Sequence, residues 1–328
     1  DGFSFRSGVT TMVDTGSAGW RMFEDFRYRV LDRFDTRMFA FLNIVGMGMT
    51  SNDMEQNHAD MQVESAVAMA REHDDLIVGM KTAHYCGPEW ISVDRMLAAG
   101  RELGKPCMVD FGLFPRERPY YELVTQRMSA GDIGTHMFLG DVPWIGPDGK
   151  VLQYLYEARE RGIIFDVGHG GGSFYWRNAV PAIEQGFYPD SISTDLHTFC
   201  MNDEMQDMTN VMSKFLAIGL PLEEIIREST VNPAREIGHP ELGHLSIGAV
   251  ADVTALNVLE GDFAYLDVRQ GRVTGSQRLR CELTLLAGEM MRDWNGRTGT
   301  DWRELPEFYG VRNPEGLIMP PGPGGAAK

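Results

Sequence analysis

The sequence predicts an α/β fold, a (β/α)8 barrel whose first strand is missing from this chain, with a small β-sandwich flank. Seven short apolar runs are each followed by a stretch of helical period, and the pattern changes after residue 242. The runs lack polar alternation, which indicates a parallel sheet covered on both faces. A doubly wound sheet is the alternative, but no glycine-rich dinucleotide loop follows an early strand.

The seven predicted strands are rich in β-branched and aromatic residues and lie at 8–16, 36–46, 76–83, 106–112, 131–138, 162–170 and 191–197. Amphipathic stretches between them predict helices at 54–73, 92–104 and 150–162. Ser92 is the predicted N-cap of the second helix, and the last two helices close on glycine. Strands that alternate with helices predict βαβ units.

The domain prediction has three parts. Residues 1–240 are predicted to form the barrel, and residues 241–311 the β-sandwich segment, from short strands broken by Gly and Asn-Gly turns. Residues 312–328 are a Pro/Gly-rich tail that we expect to be disordered.

Charge and cysteine usage narrow the possible partners and location. The 328 residues include 30 basic and 47 acidic side chains, a net charge of −17 that argues against nucleic acid and against anionic membranes. No apolar run approaches the roughly 18 residues of a membrane span. The four cysteines form no CxxC pair, so we expect buried, reduced thiols. A cytoplasmic location is expected, and a homo-oligomer is possible.

Lys81 ends the apolar run LIVGMKTA, where an unpaired ammonium is costly. Burial would cost roughly several kcal/mol or remove the proton, so the side chain reaches water, has a partner or is chemically changed. Chemistry in a barrel gathers at the carboxyl ends of the strands. The polar residues at those ends are Asp14, Asn43, Lys81, Asp110, His136, His169 and Asp195.

Together these ends bring a lysine, carboxylates and imidazoles to one rim, as zinc, manganese or iron sites require. A lysine near its neutral form can also add CO₂, and the resulting carbamate could bridge two divalent cations. A Schiff-base lysine and a solvated or salt-bridged lysine are the competing interpretations. Asp14 and Asn43 could instead cap turns, and Asp110 or Asp195 could cap the following helix.

The chain contains, in this order, the blocks RSGVTTMVDTGSAG, GMKTA, GDIGTHMF, FDVGHGGGSF and PDSISTDLH. Together they resemble the amidohydrolase superfamily, and within it the dihydroorotase-like deacetylase branch. The resemblance implies two divalent ions, zinc first, with manganese or iron possible. Lys81 would be the carbamate that bridges them, formed with CO₂, and His136 a ligand of the second ion. Asp195 would bind the first ion, hold the bridging hydroxide and serve as general base.

The resemblance also implies the substrate side of the site. His169 and Gly170 in FDVGHG, and His197 in STDLH, are expected to bind substrate. The predicted activity is hydrolysis of an amide or ester bond in a small-molecule acyl substrate, with removal of an acetyl or similar group from a small N- or O-acylated acid. A cyclic-amide hydrolase is the alternative enzyme, and a Schiff-base aldolase is a third interpretation.

Two departures from the family pattern bear on this prediction. None of the eight histidines forms the His-x-His pair of the first strand, and the chain opens just downstream of its expected place. A truncated sequence would explain this, whereas a true loss would favour an inactive barrel used as a binding scaffold. Asp110, in PCMVDFG, lies where many relatives carry His. It is nevertheless predicted to be a metal ligand, because a carboxylate can replace an imidazole.

Overall fold

The computed structural model describes residues 1–110 and 115–317. Six strands form one parallel sheet in which each strand pairs with the next along the chain. This sequential order is that of a barrel wall, whereas the strand order of a doubly wound sheet reverses at a switch point. The strands are β1 Thr11–Gly19, β2 Arg37–Asn43, β3 Ile77–Thr82, β4 Cys107–Val109, β5 Ile133–Gly134 and β6 Ile164–Phe165.

Helices connect the strands and continue after them. None of those in the described residues is long and apolar enough to cross a membrane. Tyr120–Glu122 continues into a π-helical turn at Leu123–Arg127. The helices are α1 Gly2–Arg6, α2 Phe23–Arg29, α3 Asn52–Glu55, α4 Val63–Glu72, α5 Ile91–Leu103, α6 Tyr120–Glu122, α7 Gln153–Glu160, α8 Trp176–Glu184, α9 Met208–Ala217, α10 Leu222–Ser229 and α11 Val231–Glu236.

Two helix predictions are corrected by these bounds. The helix predicted at 54–73 is broken, since α3 ends at Glu55 and α4 begins at Val63. Between them, Met61 forms an antiparallel bridge with Val45, which a continuous helix would prevent. Ser92 is not the N-cap of α5, because the helix already begins at Ile91.

The later strands are shorter than predicted. The predictions at 131–138 and 162–170 each contain only two residues of regular strand, in β5 and β6. The stretch 191–197 contributes a single parallel bridge, between Asp166 and Ser191. His136 and Asp195, in two of these stretches, have positive φ angles of 60° and 47°, outside the β region of the backbone. Residues 111–112 of the strand predicted at 106–112 lie outside the described residues.

Both faces of the sheet are buried, as the unbroken apolar runs predicted. In β2, Ala40 and Leu42 belong to the main core between sheet and helices, while Phe39 and Phe41 belong to a second cluster on the opposite face. Asn43 shares the parity of Phe39 and Phe41, so its side chain points to the same face at the carboxyl end of the strand. That end carries the polar site.

A separate antiparallel sheet follows the parallel one. It consists of β7 Val253–Leu266, β8 Arg272–Leu286 and β9 Glu289–Asp293, so its first two strands are longer than the short strands predicted here. Ser213 of α9 joins it to the main body by accepting a hydrogen bond from the backbone N–H of Leu279. All four cysteines are free, but Cys86 is exposed, which corrects the expectation that every thiol is buried.

Candidate metal centre

Lys81, Asp110 and His136 meet at the carboxyl ends of three neighbouring strands. Lys81 lies in β3, Asp110 directly follows β4, and His136 lies two residues beyond β5. Oδ2 of Asp110 is 3.9 Å from Nζ of Lys81 and 3.3 Å from Nε2 of His136. All three side chains are buried. The strand register therefore produces the convergence that the sequence predicted for these three residues.

Opposite charges hold the two partners of the shorter contact in their ionised forms. Burial alone favours a neutral Asp110, but the neighbouring His136, Lys81 and His84 outweigh it and hold the carboxyl pKa well below its usual range. Burial likewise lowers the pKa of His136, but Asp110 and Asp195 overcome it and raise the pKa to about 9. The cluster therefore combines a buried anion with cationic groups.

The backbone fixes which nitrogen of His136 faces the cluster. Its Nδ1 lies 2.6 Å from the carbonyl oxygen of Gly168 and donates to it, so Nε2 is the ring nitrogen that faces Asp110. This is how metal-binding imidazoles are oriented. A side chain at residue 168 would displace the imidazole, since a Cβ there would lie 2.6 Å from Nδ1 of His136.

Asp195 lies on the open side of the same cluster. Its side chain is 37% exposed, and Oδ2 is 4.0 Å from Nε2 of His197, which is also partly exposed. Burial raises the pKa of Asp195, although His136 and Lys81 act in the opposite direction. A carboxylate with a raised pKa and an open face is suited to accept a proton.

His169 lies deeper than the sequence suggested. It is fully buried, its Nδ1 donates to the carbonyl oxygen of Gly170 at 2.8 Å, and its Nε2 lies 2.7 Å from Nζ of Lys214. Burial and the nearby Lys214 hold the imidazole pKa well below its usual value. Burial also lowers the pKa of Lys214, to about 7. Both ring nitrogens thus have protein partners, and a direct contact between His169 and substrate stays a prediction.

Asp14 and Asn43, from the first two strands, form hydrogen bonds that stabilise a turn. Asp14 accepts hydrogen bonds from the backbone N–H groups of Gly16 and Ser17, and Asn43 donates to the carbonyl oxygen of Gly16. These bonds support the turn-capping interpretation of both residues.

Two residues near the cluster, His84 and Asp166, were not identified by the sequence analysis. His84 lies just past β3, with Nε2 3.7 Å from Oδ2 of Asp110. Asp166 is buried and accepts hydrogen bonds from the hydroxyls of Thr135, Ser191 and Ser193. Asp166 therefore ties together the backbone that carries His136 and Asp195. The spacing Lys-x-x-His and the block FDVGHG were visible in the sequence, but neither indicated these contacts.

The donor set around Asp110 fits a divalent ion. Ligands 2.0–2.2 Å from one zinc-like ion lie roughly 3–3.5 Å apart, close to the Asp110–His136 separation of 3.3 Å. A carboxylate and imidazoles are also the types of donor that such ions prefer.

Elsewhere in the described residues, Glu24, Glu72 and His73 also bring ligand atoms together. Arg27 contacts Nδ1 of His73 there, and Glu24 contacts its Nε2, so both ring nitrogens are already engaged. That group therefore forms a hydrogen-bond network.

Comparison with known proteins finds related chains. A deacetylase of Brucella anthropi is 33% identical over 282 residues, covering 83% of this chain and 69% of that protein. A deacetylase of Agrobacterium fabrum is 32% identical, covering 83% of this chain and 68% of its own. No protein-family profile matches the chain.

Two crystal structures share the fold and retain detectable sequence identity. One is of an adenine deaminase, with a TM-score of 0.84 and 25% identity over 89% of this chain and 81% of that one. The other is of a dihydroorotase, with a TM-score of 0.76 and 29% identity over 88% and 77% of the two chains. The cluster of Lys81, Asp110 and His136 thus lies in a fold that this chain shares with an adenine deaminase and a dihydroorotase.

Proposed function

Because the chain belongs to the deacetylase branch of the amidohydrolase superfamily, and is therefore a hydrolase, we propose that it removes an acetyl or similar acyl group from a small N- or O-acylated acid. The membership confirms the predicted family. The parallel sheet with its separate antiparallel sheet, together with the structural relatives, confirms the predicted barrel with a β flank.

The proposal is supported above all by one observation: Nζ of Lys81 and Nε2 of His136 both lie within 3.9 Å of Oδ2 of Asp110. We propose that these residues and Asp195 hold divalent ions, zinc first and manganese or iron as alternatives, with Lys81 as a carbamate formed with CO₂. Bound ions would lower the pKa of a water and polarise the acyl carbonyl.

The protein's own residues would then manage the proton. Asp195, on the open side of the cluster, takes the proton from the attacking water and passes it to the leaving nitrogen or oxygen. Gly170 keeps the space beside the carboxylate free, since a Cβ there would lie 2.3 Å from Oδ2 of Asp195. The partly exposed His197 is positioned to contact the substrate from the same side, and His169 would orient the turn that carries Gly170.

A cyclic-amide hydrolase is the second candidate, favoured by the 29% identity with a dihydroorotase. The same hydrolytic chemistry would open a ring amide, so the two candidates differ in substrate shape and not in mechanism.

A substrate panel separates these candidates. Purified protein supplied with zinc or manganese would be mixed with N-acetylated amino acids, O-acetylated hydroxy acids, dihydroorotate and a hydantoin. Release of acetate from the acylated acids alone supports deacetylation, while ring opening supports the second candidate. If a metal-loaded protein turns over none of these substrates, the proposed function fails and the result supports an inactive barrel used as a binding scaffold.

A further inference from the structure

His84 lies on the loop that leaves β3, three residues after Lys81, and its side chain is 38% exposed. Its Nε2 points toward the cluster, 3.7 Å from Oδ2 of Asp110. Asp110 is therefore approached by a second imidazole besides that of His136.

Glu55 fixes the ring of His84 from behind. Oε1 of Glu55 lies 3.0 Å from Nδ1 of His84, and Oε2 accepts the backbone N–H of the same residue at 3.1 Å. Glu55 is 3% exposed, so this carboxylate is buried and both of its oxygens are directed at one histidine. The contact at Nδ1 holds a ring proton there, so the neutral form of the imidazole has its lone pair on Nε2.

The rest of the loop is also held in place. Gln56 donates to the carbonyl oxygen of His84 at 3.0 Å and accepts the backbone N–H of Cys86 at 2.9 Å. Arg118 donates to the carbonyl oxygens of Tyr85 and Gly87. Glu55 is the last residue of α3, and it and Gln56 both contact His84. His84 is thus presented by a prearranged support.

A lone pair on Nε2 and a carboxylate oxygen repel each other unless a cation lies between them. The 3.7 Å between His84 and Asp110 is close to the roughly 3–3.5 Å that separates two ligands of one zinc-like ion. His136 approaches the same carboxylate oxygen at 3.3 Å. A direct ion pair between a protonated His84 and Asp110 is the alternative.

We propose that His84 is a metal ligand that binds the same divalent ion as Asp110 through Nε2, with Glu55 as the carboxylate that orients the ring. The proposal rests on the proposed function only in that a divalent ion binds at this cluster. Asp110 then shares that ion with an imidazole that comes from a loop instead of a strand end.

The test measures metal directly in the full-length protein. Zinc content after dialysis and zinc affinity against a competing chelator would be compared for wild type, His84→Ala, His84→Gln and Glu55→Gln. We expect at least about 100-fold weaker zinc binding at one site in both His84 variants, and roughly 10-fold weaker binding in Glu55→Gln, as for other supporting carboxylates. Free imidazole added to His84→Ala should restore part of the bound zinc.

The matched control is His239→Ala, because Glu241 contacts Nδ1 of His239 in the same way, at 2.8 Å. His239 stacks on Phe39, four residues before the carboxyl end of β2 and hence roughly 13 Å from it along the strand. Its zinc binding should equal that of wild type. Cobalt-substituted protein gives a second readout, since loss of a nitrogen ligand changes the visible spectrum of His84→Gln.

Wild-type zinc stoichiometry, affinity and cobalt spectrum in folded His84→Ala and His84→Gln would overturn the proposal in favour of the ion pair. No substrate enters these measurements. If zinc binding depends on His84 but the protein hydrolyses no acylated acid, this inference stands and the proposed function fails. If the protein is an active deacetylase and its zinc binding does not change in the His84 variants, the proposed function stands and this inference fails.

Discussion

Nζ of Lys81 lies 3.9 Å from Oδ2 of Asp110, with both side chains buried. The lysine at the end of an apolar strand therefore has a partner, but the separation exceeds a hydrogen bond of about 2.7–3.2 Å. An ion pair fits this distance as it stands, and a carbamate on Nζ would need divalent cations to balance its charge against that of Asp110. The geometry is thus compatible with a carbamate and with a plain ion pair, and mutation can distinguish them.

We predict that Lys81→Ala loses bound metal and activity together. If Lys81 bridges two ions as a carbamate, removing it deletes a shared ligand, so metal content measured by elemental analysis should fall with turnover. Short carboxylic acids should partly restore both, because they can replace the carbamate. Lys105→Ala, at the amino end of β3 beside Asp74, is the control. Normal metal content with rescue by amines, or trapping by borohydride with a carbonyl substrate, would support a Schiff base instead.

Asp195→Asn should separate proton transfer from metal binding. The amide keeps the shape of the side chain and one oxygen donor but cannot accept the proton, so kcat should fall by roughly 10²–10⁴-fold. Most of the metal should remain bound. Steady-state kinetics with elemental analysis would check this, and Asp203→Asn, an exposed carboxylate farther along the loop, is the control. Unchanged kcat would mean that another residue is the base.

Gly170→Ala should damage the site through Asp195. Residue 170 has a φ of +51°, and a Cβ would lie 2.3 Å from Oδ2 of Asp195, so the carboxylate must move. We expect at least about 10-fold lower kcat. Gly172→Ala is the matched control from the same turn, because a Cβ there meets nothing within 4 Å. Equal kinetics of the two variants would contradict the close packing of Gly170 against Asp195.

The shared rim of Lys81, Asp110 and His136 could be predicted because parallel strands end on one side of their sheet. Each residue ends or closely follows an apolar run, so the strand pattern alone brings them together. The two faces of β2 followed from the same runs, which are apolar at odd and even positions alike.

His84 and Glu55 could not be found in this way. His84 lies beyond the last residue of β3, where the strand pattern has ended, and its direction depends on hydrogen bonds from a distant segment. The apolar period across 54–73 predicted one helix and hid the break after Glu55. The burial of His169 beneath Lys214 depends on how α9 packs, and sequence periodicity does not specify that contact.

The stability of the protein should also depend on pH through Glu228 of α10. This side chain is 3% exposed, and its Oε2 has no hydrogen-bond partner among the described residues. Burial, with the nearby Glu224 and Asp190, raises the pKa of Glu228 from 4.5 to about 8. Between these values the folded state keeps a proton that the unfolded state has released, so the free energy of unfolding falls as the pH rises.

Glu228→Gln removes that ionisation and should make the free energy of unfolding less dependent on pH. Near pH 4.5 the variant and wild type should unfold at similar urea concentrations, because Glu228 is largely protonated in the folded protein. At pH 8 to 9 the variant should be more stable by roughly 2–4 kcal/mol, since wild type must bury a charge or pay to stay protonated. Glu223→Gln, exposed on the same helix, controls for the loss of one negative charge. If the free energy of unfolding of Glu228→Gln runs parallel to that of wild type from pH 4.5 to 9, Glu228 does not hold a proton in the folded state.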